Sequence, residues 1–248
     1  MSDSIPANYQ PTPDLLAGRR ILITGAGDGL GRAAALGCAA HGATVILLGR
    51  TVRKLEAVYD AIEAGGAPQP AIYPMHLVGA GWKDYADLAE TVAREMGGLD
   101  GLLHCAVHFK AFSPMADIEP KDWVEGLQVN LTAAYALTRN LLPLLQASSD
   151  ASVVFLSDRH GREPHAYDGV YGIAKAAVEQ MMRSWAAELS DRSTLRINSF
   201  DPGPMRSGVR LRGYPGERAE TVPLPDSVVP SLLWLLGPDS RGVNGRAL

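Results

Sequence analysis

The sequence predicts a single α/β domain, residues 1–248, built on one doubly wound parallel sheet with helices on both faces. Two observations carry this. Short β-rich runs alternate with helical patterns along the whole chain, which is the signature of a parallel sheet with crossover helices. The first such run passes straight into a glycine-rich turn and a helix of small residues. At 46% hydrophobic residues, the 248-residue chain can also bury a sizeable core.

The elements follow in order. Arg19 to Thr24 reads as a buried strand and Gly31 to His41 as a small-residue helix. Ala43 to Leu48 is a second strand and Thr51 to Ala64 a helix. Ala71 to Leu77 is a weaker third strand, interrupted by Pro74. Trp82 to Met96 is helical, Leu99 to His104 is strand four, and Lys121 to Gln146 is one long helix. Ala151 to Ser157 is strand five, Val170 to Ser190 another long helix, Thr194 to Phe200 strand six and Ser227 to Leu236 a last helix. Residues 1–15 form an N-terminal arm.

Composition excludes several functions. A net charge of -4 gives no basic excess for nucleic acid. No apolar run reaches the roughly 18 residues of a membrane helix. Met1 to Pro13 lacks the basic start and apolar stretch of a signal peptide. Two cysteines, Cys38 and Cys105, make no disulfide framework, so a reducing cytoplasm is the expected compartment.

Ligands of doubly wound sheets lie at the carboxyl ends of the strands. There, after the first strand, stands Thr24-Gly25-Ala26-Gly27-Asp28-Gly29-Leu30-Gly31. Glycines allow positive φ and close backbone approach, and the following helix N-terminus presents N–H groups and a positive dipole end to a diphosphate. No Gly-Lys-Ser/Thr follows, so the loop is not a Walker motif. An acidic residue after the second strand would bond the ribose hydroxyls of NAD. Here Leu48-Gly49-Arg50 offers a forked cation suited to a 2′-phosphate, with Arg53 or Lys54 adding charge. The expected cofactor is NADP(H).

Tyr171 and Lys175, four apart at the start of the long helix after strand five, share a helix face. An ammonium beside a phenol lowers a pKa that is ordinarily about 10, making Tyr171 a general acid or base.

With these motifs in this order, the chain resembles the short-chain dehydrogenase/reductase family over roughly Leu16 to Gly245, and its oxoacyl-carrier-protein-reductase-like branch. The resemblance rests on the glycine loop, the Leu47-Leu48-Gly49-Arg50 strand end, Val129-Asn130, Tyr171 with Lys175, and Pro202-Gly203. It implies a Rossmann-like sheet of seven strands in the order 3-2-1-4-5-6-7. Asn130 then supports a water-linked proton relay to Lys175, which also holds the nicotinamide ribose. Ala106, Pro202, Gly203 and Ser207 flank the cofactor. The implied reaction moves hydride between nicotinamide and a small-molecule carbonyl or secondary alcohol, in a homodimer or homotetramer.

Three residues depart from the family pattern. Asp158 stands where the family places a serine, thirteen residues before Tyr171. An ionised carboxylate accepts but cannot donate, and it disfavours a phenolate. Val107 adds bulk where glycine gives clearance, in His104-Cys105-Ala106-Val107. His76 replaces an adenine-contacting aspartate. The sequence leaves three readings of Asp158 open. The enzyme works with a protonated Asp158 or a shifted Ser157; or it takes an unusual, cationic substrate; or it binds nucleotide as a sensor or scaffold with little turnover.

Weaker signals remain. His104, Cys105, His108, His160 and His165 gather after strands four and five, where a polar pocket is expected in preference to a zinc site. Arg206, Arg210, Arg212 and Arg218 are expected on a solvated lid. Val178, Met181, Met182 and Trp185 form a helical stripe expected in the core or a helix–helix interface.

Overall fold

A computed structural model describes residues 4–190 and 194–248. Met1 to Asp3, the tip of the N-terminal arm, lie outside the described residues. Six parallel strands run in the order β3-β2-β1-β4-β5-β6. They are β1 Arg20–Thr24, β2 Thr44–Gly49, β3 Ala71–Pro74, β4 Gly101–His104, β5 Ser152–Leu156 and β6 Arg196–Phe200. Helices α1 Gly29–Ala40, α2 Val52–Ala64 and α3 Trp82–Met96 form the first half. The second half holds α4 Pro120–Leu127, α5 Ala133–Ala147, α6 Gly169–Leu189, α7 Gly208–Gly213 and α8 Val229–Leu236.

Strand periodicity distributes the core. Successive side chains point to opposite faces. Ile21, Ile23, Val45, Leu47 and Val154 therefore join the helices α1, α2 and α8. Leu22, Ile46, Leu48, Val153 and Phe155 join α3, α5 and α6 on the other face. Because both faces are covered, the central residues of β1, β2, β4 and β5 are apolar, while β6 buries Arg196, Asn198 and Ser199 as well.

The expected seventh strand is a single parallel bridge, Ser199 to Ala247. The terminal segment does lie along β6: Ser199 N donates to Arg246 O at 2.9 Å and Leu248 N to Ser199 O at 3.0 Å. Just before it, Gly242 and Gly245 hold φ of 87° and 71°, which interrupts extended geometry. The third strand stops at Pro74, short of Leu77. Pro74 has no N–H to give the ladder, and this is an edge strand, the position that tolerates proline.

The helix read from Lys121 to Gln146 is two helices joined by a π-helical turn, Gln128–Thr132. The turn lets Gln128 Nε2 reach Leu77 O and Ala80 O, each at 3.2 Å, and turns Asn130 inward. Hydrophobic periodicity carries no mark of such a one-residue bulge. Residues 4–15 are not a loose arm: Leu15 and Leu16 are buried in the core, and Tyr9 Oη donates to Asp239 at 2.6 Å. No helix among the described residues is long and apolar enough to cross a membrane.

Opposite the ligand end, Asp150 binds Arg19 at 3.0 Å, Arg241 at 3.0 Å and the buried guanidinium of Arg196. Burial pushes the Asp150 carboxyl up, but the hydrogen bond and charge of Arg196, with Arg19, hold it below the ordinary carboxylate value. Asp150→Ala leaves Arg196 buried without its counter-charge, so chemical denaturation is expected to show a loss of about 3–5 kcal/mol. The depressed pKa sets the pH sign. The Asp150 contribution is complete above the unfolded value of about 3.9 and fades as pH falls through the lower folded value, so the wild-type advantage shrinks on acidification.

Candidate active site

β1 ends at Thr24, whose Oγ1 accepts from Ala106 N at 3.0 Å and ties the ends of β1 and β4 together. The chain then turns through Gly25 at φ +69°. A Cβ there would meet Ala106 Cα and N at 3.0 Å. A Cβ on Gly31 would sit 2.3 Å from the carbonyl oxygen of Gly25, an impossible contact. At Gly25 and Gly31 the loop is folded so tightly on itself that backbone lies where a side chain would stand. Asp28 caps α1, its Oδ1 accepting from Gly29 N at 2.8 Å, while Oδ2 pairs with Lys54 at 2.5 Å. That pair is exposed on both sides and engages Lys54 with Asp28. Arg50 stands exposed on the crevice wall just past β2, where no carboxylate occupies the strand end, and His76 lies nearby.

The crevice has a volume of about 540 Å³ and runs from this glycine turn to Tyr171 and Lys175. Both side chains are only 6% exposed. Lys175 Nζ donates to Leu156 O at 2.6 Å and lies 5.7 Å from the Tyr171 ring centroid. Burial pushes the Lys175 ammonium below its ordinary value.

Asp158 turns into the site. Tyr171 Oη donates to its Oδ2 at 2.8 Å, and His160 N donates to its Oδ1 at 3.0 Å. The Tyr171 phenol is consequently held well above its ordinary pKa, first by burial and then by the Asp158 charge and hydrogen bond. This corrects the expectation from the Tyr171–Lys175 spacing. A carboxylate in direct contact outweighs an ammonium that is itself desolvated and engaged elsewhere. Tyr171 is a neutral phenol.

Ser157 does not substitute for Asp158. Its N–H bonds Phe200 O at 2.8 Å, and its side chain is buried beside Glu179. Burial pushes the Glu179 carboxyl up, but Ser157, Ser199 and Arg162 together hold it below the ordinary value. Asn130 is 5% exposed and bonds the main chain of His108 twice, accepting from His108 N and donating to His108 O, each at 2.8 Å. It thereby fixes the segment after β4 that walls the crevice. Ala106, Val107, Pro202, Gly203 and Ser207 all line the crevice. Val107 is 38% exposed, and Ser207 caps α7 by accepting from Arg210 N at 3.1 Å.

The far end is aromatic. Phe109 meets Tyr171 edge to face at 5.1 Å between centroids, Phe112 meets His160 at 4.9 Å, and Phe112 meets Tyr214 at 5.5 Å. His160 is braced between Asp168 Oδ1 at 2.6 Å and Tyr214 Oη at 3.1 Å. Phe109, Phe112 and Tyr214 have no local motif, and only the fold brings them to this end of the crevice, whereas Asp168 is the N-cap residue of the helix that carries Tyr171. Arg206, Arg212 and Arg218 are exposed, as expected of a solvated lid, and Arg210 is half-buried, but three of the four also make contacts within the protein. Arg210 is bidentate to Glu217 at 2.6 Å and stacks on Tyr214. Arg212 Nε donates to Phe109 O at 3.0 Å, and Arg206 Nε to Val222 O at 3.0 Å.

The histidines divide. His104 is in the core, stacked on Phe155 at 4.7 Å, with Nε2 bonded to Thr138 Oγ1 at 2.9 Å. Burial, aided by the Lys175 charge, pushes its pKa down to about 3, so it is neutral. Burial likewise pushes the Cys105 thiol up. His160, His165 and Asp168 do cluster, with Asp168 serving as the acceptor that orients His160. In the helical stripe, Val178 and Met182 are buried, and Met181 and Trp185 pack against the same core.

A backbone cradle at the first crossover and a buried tyrosine–lysine pair at the fifth strand define an α/β oxidoreductase of the doubly wound class. Residues 19–213 match the short chain dehydrogenase family, and the chain belongs to it. The chain is 40% identical over 238 residues to YciK, an uncharacterised oxidoreductase of Escherichia coli (strain K12), covering 96% of this chain and 94% of that one. A short chain dehydrogenase structure from Pseudomonas syringae superposes with a TM-score of 0.95 at 45% identity, covering 98% of each chain. One from Shigella flexneri 2a, complexed with NADP, superposes with a TM-score of 0.92 at 38% identity, covering 95% of this chain and 98% of that one.

If Asp158 raises the Tyr171 pKa, removing its charge must lower it. Ultraviolet difference titration of Asp158→Asn is expected to show one tyrosine ionising at lower pH than in the wild type, though still above a free phenol because burial persists. Subtracting the Tyr171→Phe curve identifies that tyrosine.

Proposed function

We propose that this protein is an NADP(H)-dependent reductase of a small-molecule carbonyl or related unsaturated group, with Tyr171 as proton donor. The observation that carries the reading is one continuous crevice with a side-chain-free cradle at one end and the Tyr171–Lys175 pair at the other. The residues present fit the dinucleotide. The backbone of Gly25, Gly27, Gly29, Leu30 and Gly31 suits a diphosphate, since the first N–H groups of a helix lack intrahelical acceptors. Arg50 suits the 2′-phosphate. Lys175 suits the nicotinamide ribose, with Ala106, Pro202, Gly203 and Ser207 beside the ring. When bound, the nicotinamide supplies the hydride. The NADP complex of the Shigella flexneri relative supports the choice of cofactor.

This chain's own residues then set the direction. A neutral phenol holds the proton that a reduction consumes, whereas alcohol oxidation needs a phenolate that Asp158 opposes. Asn130 positions the wall through His108, and Lys175 stays fixed on the Leu156 carbonyl. A second reading, a nucleotide-binding regulatory protein with an impaired site, draws support from the same Tyr171–Asp158 bond, because that bond turns the phenolic proton away from a substrate.

Fluorescence titration is expected to show NADPH bound at least about tenfold more tightly than NADH. Arg50→Ala should cost NADPH roughly 10–100-fold, the worth of a charge-assisted hydrogen bond, and leave NADH nearly unchanged. Equal affinities in the wild type would remove the 2′-phosphate assignment. In an NADPH-oxidation screen over ketones, aldehydes, quinones and imines, Tyr171→Phe should lower kcat for a carbonyl substrate about 10²–10⁴-fold while NADPH affinity stays within a few-fold. A wild-type protein that binds NADPH and turns over nothing in the screen favours the regulatory reading.

A further inference from the structure

We propose that the aromatic end of the crevice binds a planar, N-protonated cation, and that the group reduced there is a protonated C=N. This rests on the cofactor and hydride part of the reductase reading above; for this substrate the proton arrives on nitrogen, and Tyr171 holds Asp158 instead of donating.

The argument begins with the acceptor capacity of Asp158. Its two oxygens offer about four lone-pair sites. The protein fills two, from Tyr171 Oη at 2.8 Å and His160 N at 3.0 Å. Its side chain is 30% exposed toward the crevice. Among the described residues no lysine or arginine pairs with it; its ion-pairing contact is with His160 Nε2 at 3.9 Å. The remaining sites can only accept, so a substrate atom placed there has to bring a proton. A carbonyl oxygen brings none, and the negative charge that develops on it during reduction would face a carboxylate. A protonated imine, amidine or N-heterocycle brings both a proton and a positive charge.

The surroundings suit such a group. Phe109, Phe112, Tyr171 and Tyr214 present ring faces and edges around the same space, and a cation among aromatic rings is attracted by their quadrupoles. Asp201 also lines the crevice. Of the cations that line this end of the crevice, Arg159 is exposed to solvent and three others are engaged within the protein. Arg210 is neutralised by Glu217, Arg212 is turned onto the Phe109 carbonyl, and Lys175 is held on the Leu156 carbonyl. His160 is fixed between Asp168 and Tyr214.

The electron balance is simple. Hydride from the reduced nicotinamide adds to the carbon of the protonated C=N. The π pair becomes the nitrogen lone pair, the product is a neutral amine, and the nicotinamide is oxidised by two electrons. The proton already on nitrogen, drawn from solvent, stays there.

The test uses the full chain and three isosteric probes, benzamidinium, benzamide and benzoate, titrated calorimetrically at neutral pH with and without NADP+. The expected result is benzamidinium bound at least about tenfold more tightly than benzamide, with benzoate weakest, as a charged partner to a part-buried carboxylate predicts. In Asp158→Asn the benzamidinium preference should fall to within about twofold of benzamide, and NADPH affinity, followed by fluorescence, reports that the variant is folded. Equal binding of benzamidinium and benzamide by the wild type, no benzamidinium binding at millimolar concentration, or a preference surviving intact in Asp158→Asn would each overturn the proposal. The wild-type comparison stands without the variant. A protein that selects benzamidinium yet binds no NADPH would sink the cofactor reading and leave the cation site; one that binds NADPH without selecting benzamidinium does the reverse.

Discussion

The site exists because two neighbouring strands send the chain in opposite directions. After Thr24 the chain from β1 rises into α1 on one face of the sheet. After His104 the chain from the adjacent β4 leads toward α5 on the other. The gap between the departing segments cannot close, and it opens as a crevice at the carboxyl ends of the strands. The hydrogen bond from Ala106 N to Thr24 Oγ1 sets its floor, and the contacts of Gly25 with Ala106 and of Gly31 with the Gly25 carbonyl set its wall. Backbone approaches this close leave no room for side chains, which is why the crevice presents peptide groups to a ligand.

Around that opening, charge decides the chemistry. A tyrosine four residues before a lysine looks like a lowered phenol when only those two are considered. In the folded chain the lysine is buried and bonded to a carbonyl, and the nearest charge to the phenol is the carboxylate of Asp158. One substitution relative to the family pattern thus changes the proton inventory of the site without disturbing its scaffold. Ser157 stays in the ladder on the Glu179 side, and Asn130 keeps its grip on His108. A carboxylate that accepts from a tyrosine and, among the described residues, pairs with no lysine or arginine is suited to a positively charged ligand in a way that a serine is not.

Legibility followed the range of the interaction. Strands β1, β2 and β5 were plain in the sequence because their apolar runs are long and each is bounded by turn residues. The glycine turn was plain because its constraint is local and steric. The π-helical turn at Gln128–Thr132 was not, since one extra residue in a helical turn barely disturbs an apolar pattern. The shortened β3 was half legible: Pro74 was visible, but whether a proline ends a strand depends on where that strand lies in the sheet. The seventh strand was an expectation from the family, and left-handed Gly242 and Gly245 reduced it to one bridge.

By itself the sequence determined the α/β class, the tight glycine turn after β1 and the Tyr171–Lys175 spacing, and its family resemblance added the strand order up to β6 and the anomaly at Asp158. These rest on periodicity, on glycine sterics and on residues a fixed distance apart along one element. Only the tertiary structure decided where the Asp158 carboxylate points, that Tyr171 is a neutral phenol, that His104 belongs to the core and His160 to the site, and that Phe109, Phe112 and Tyr214 surround the reacting end. Protonation and pocket shape depend on burial and on charges from segments far apart in the chain, and no local pattern records those distances.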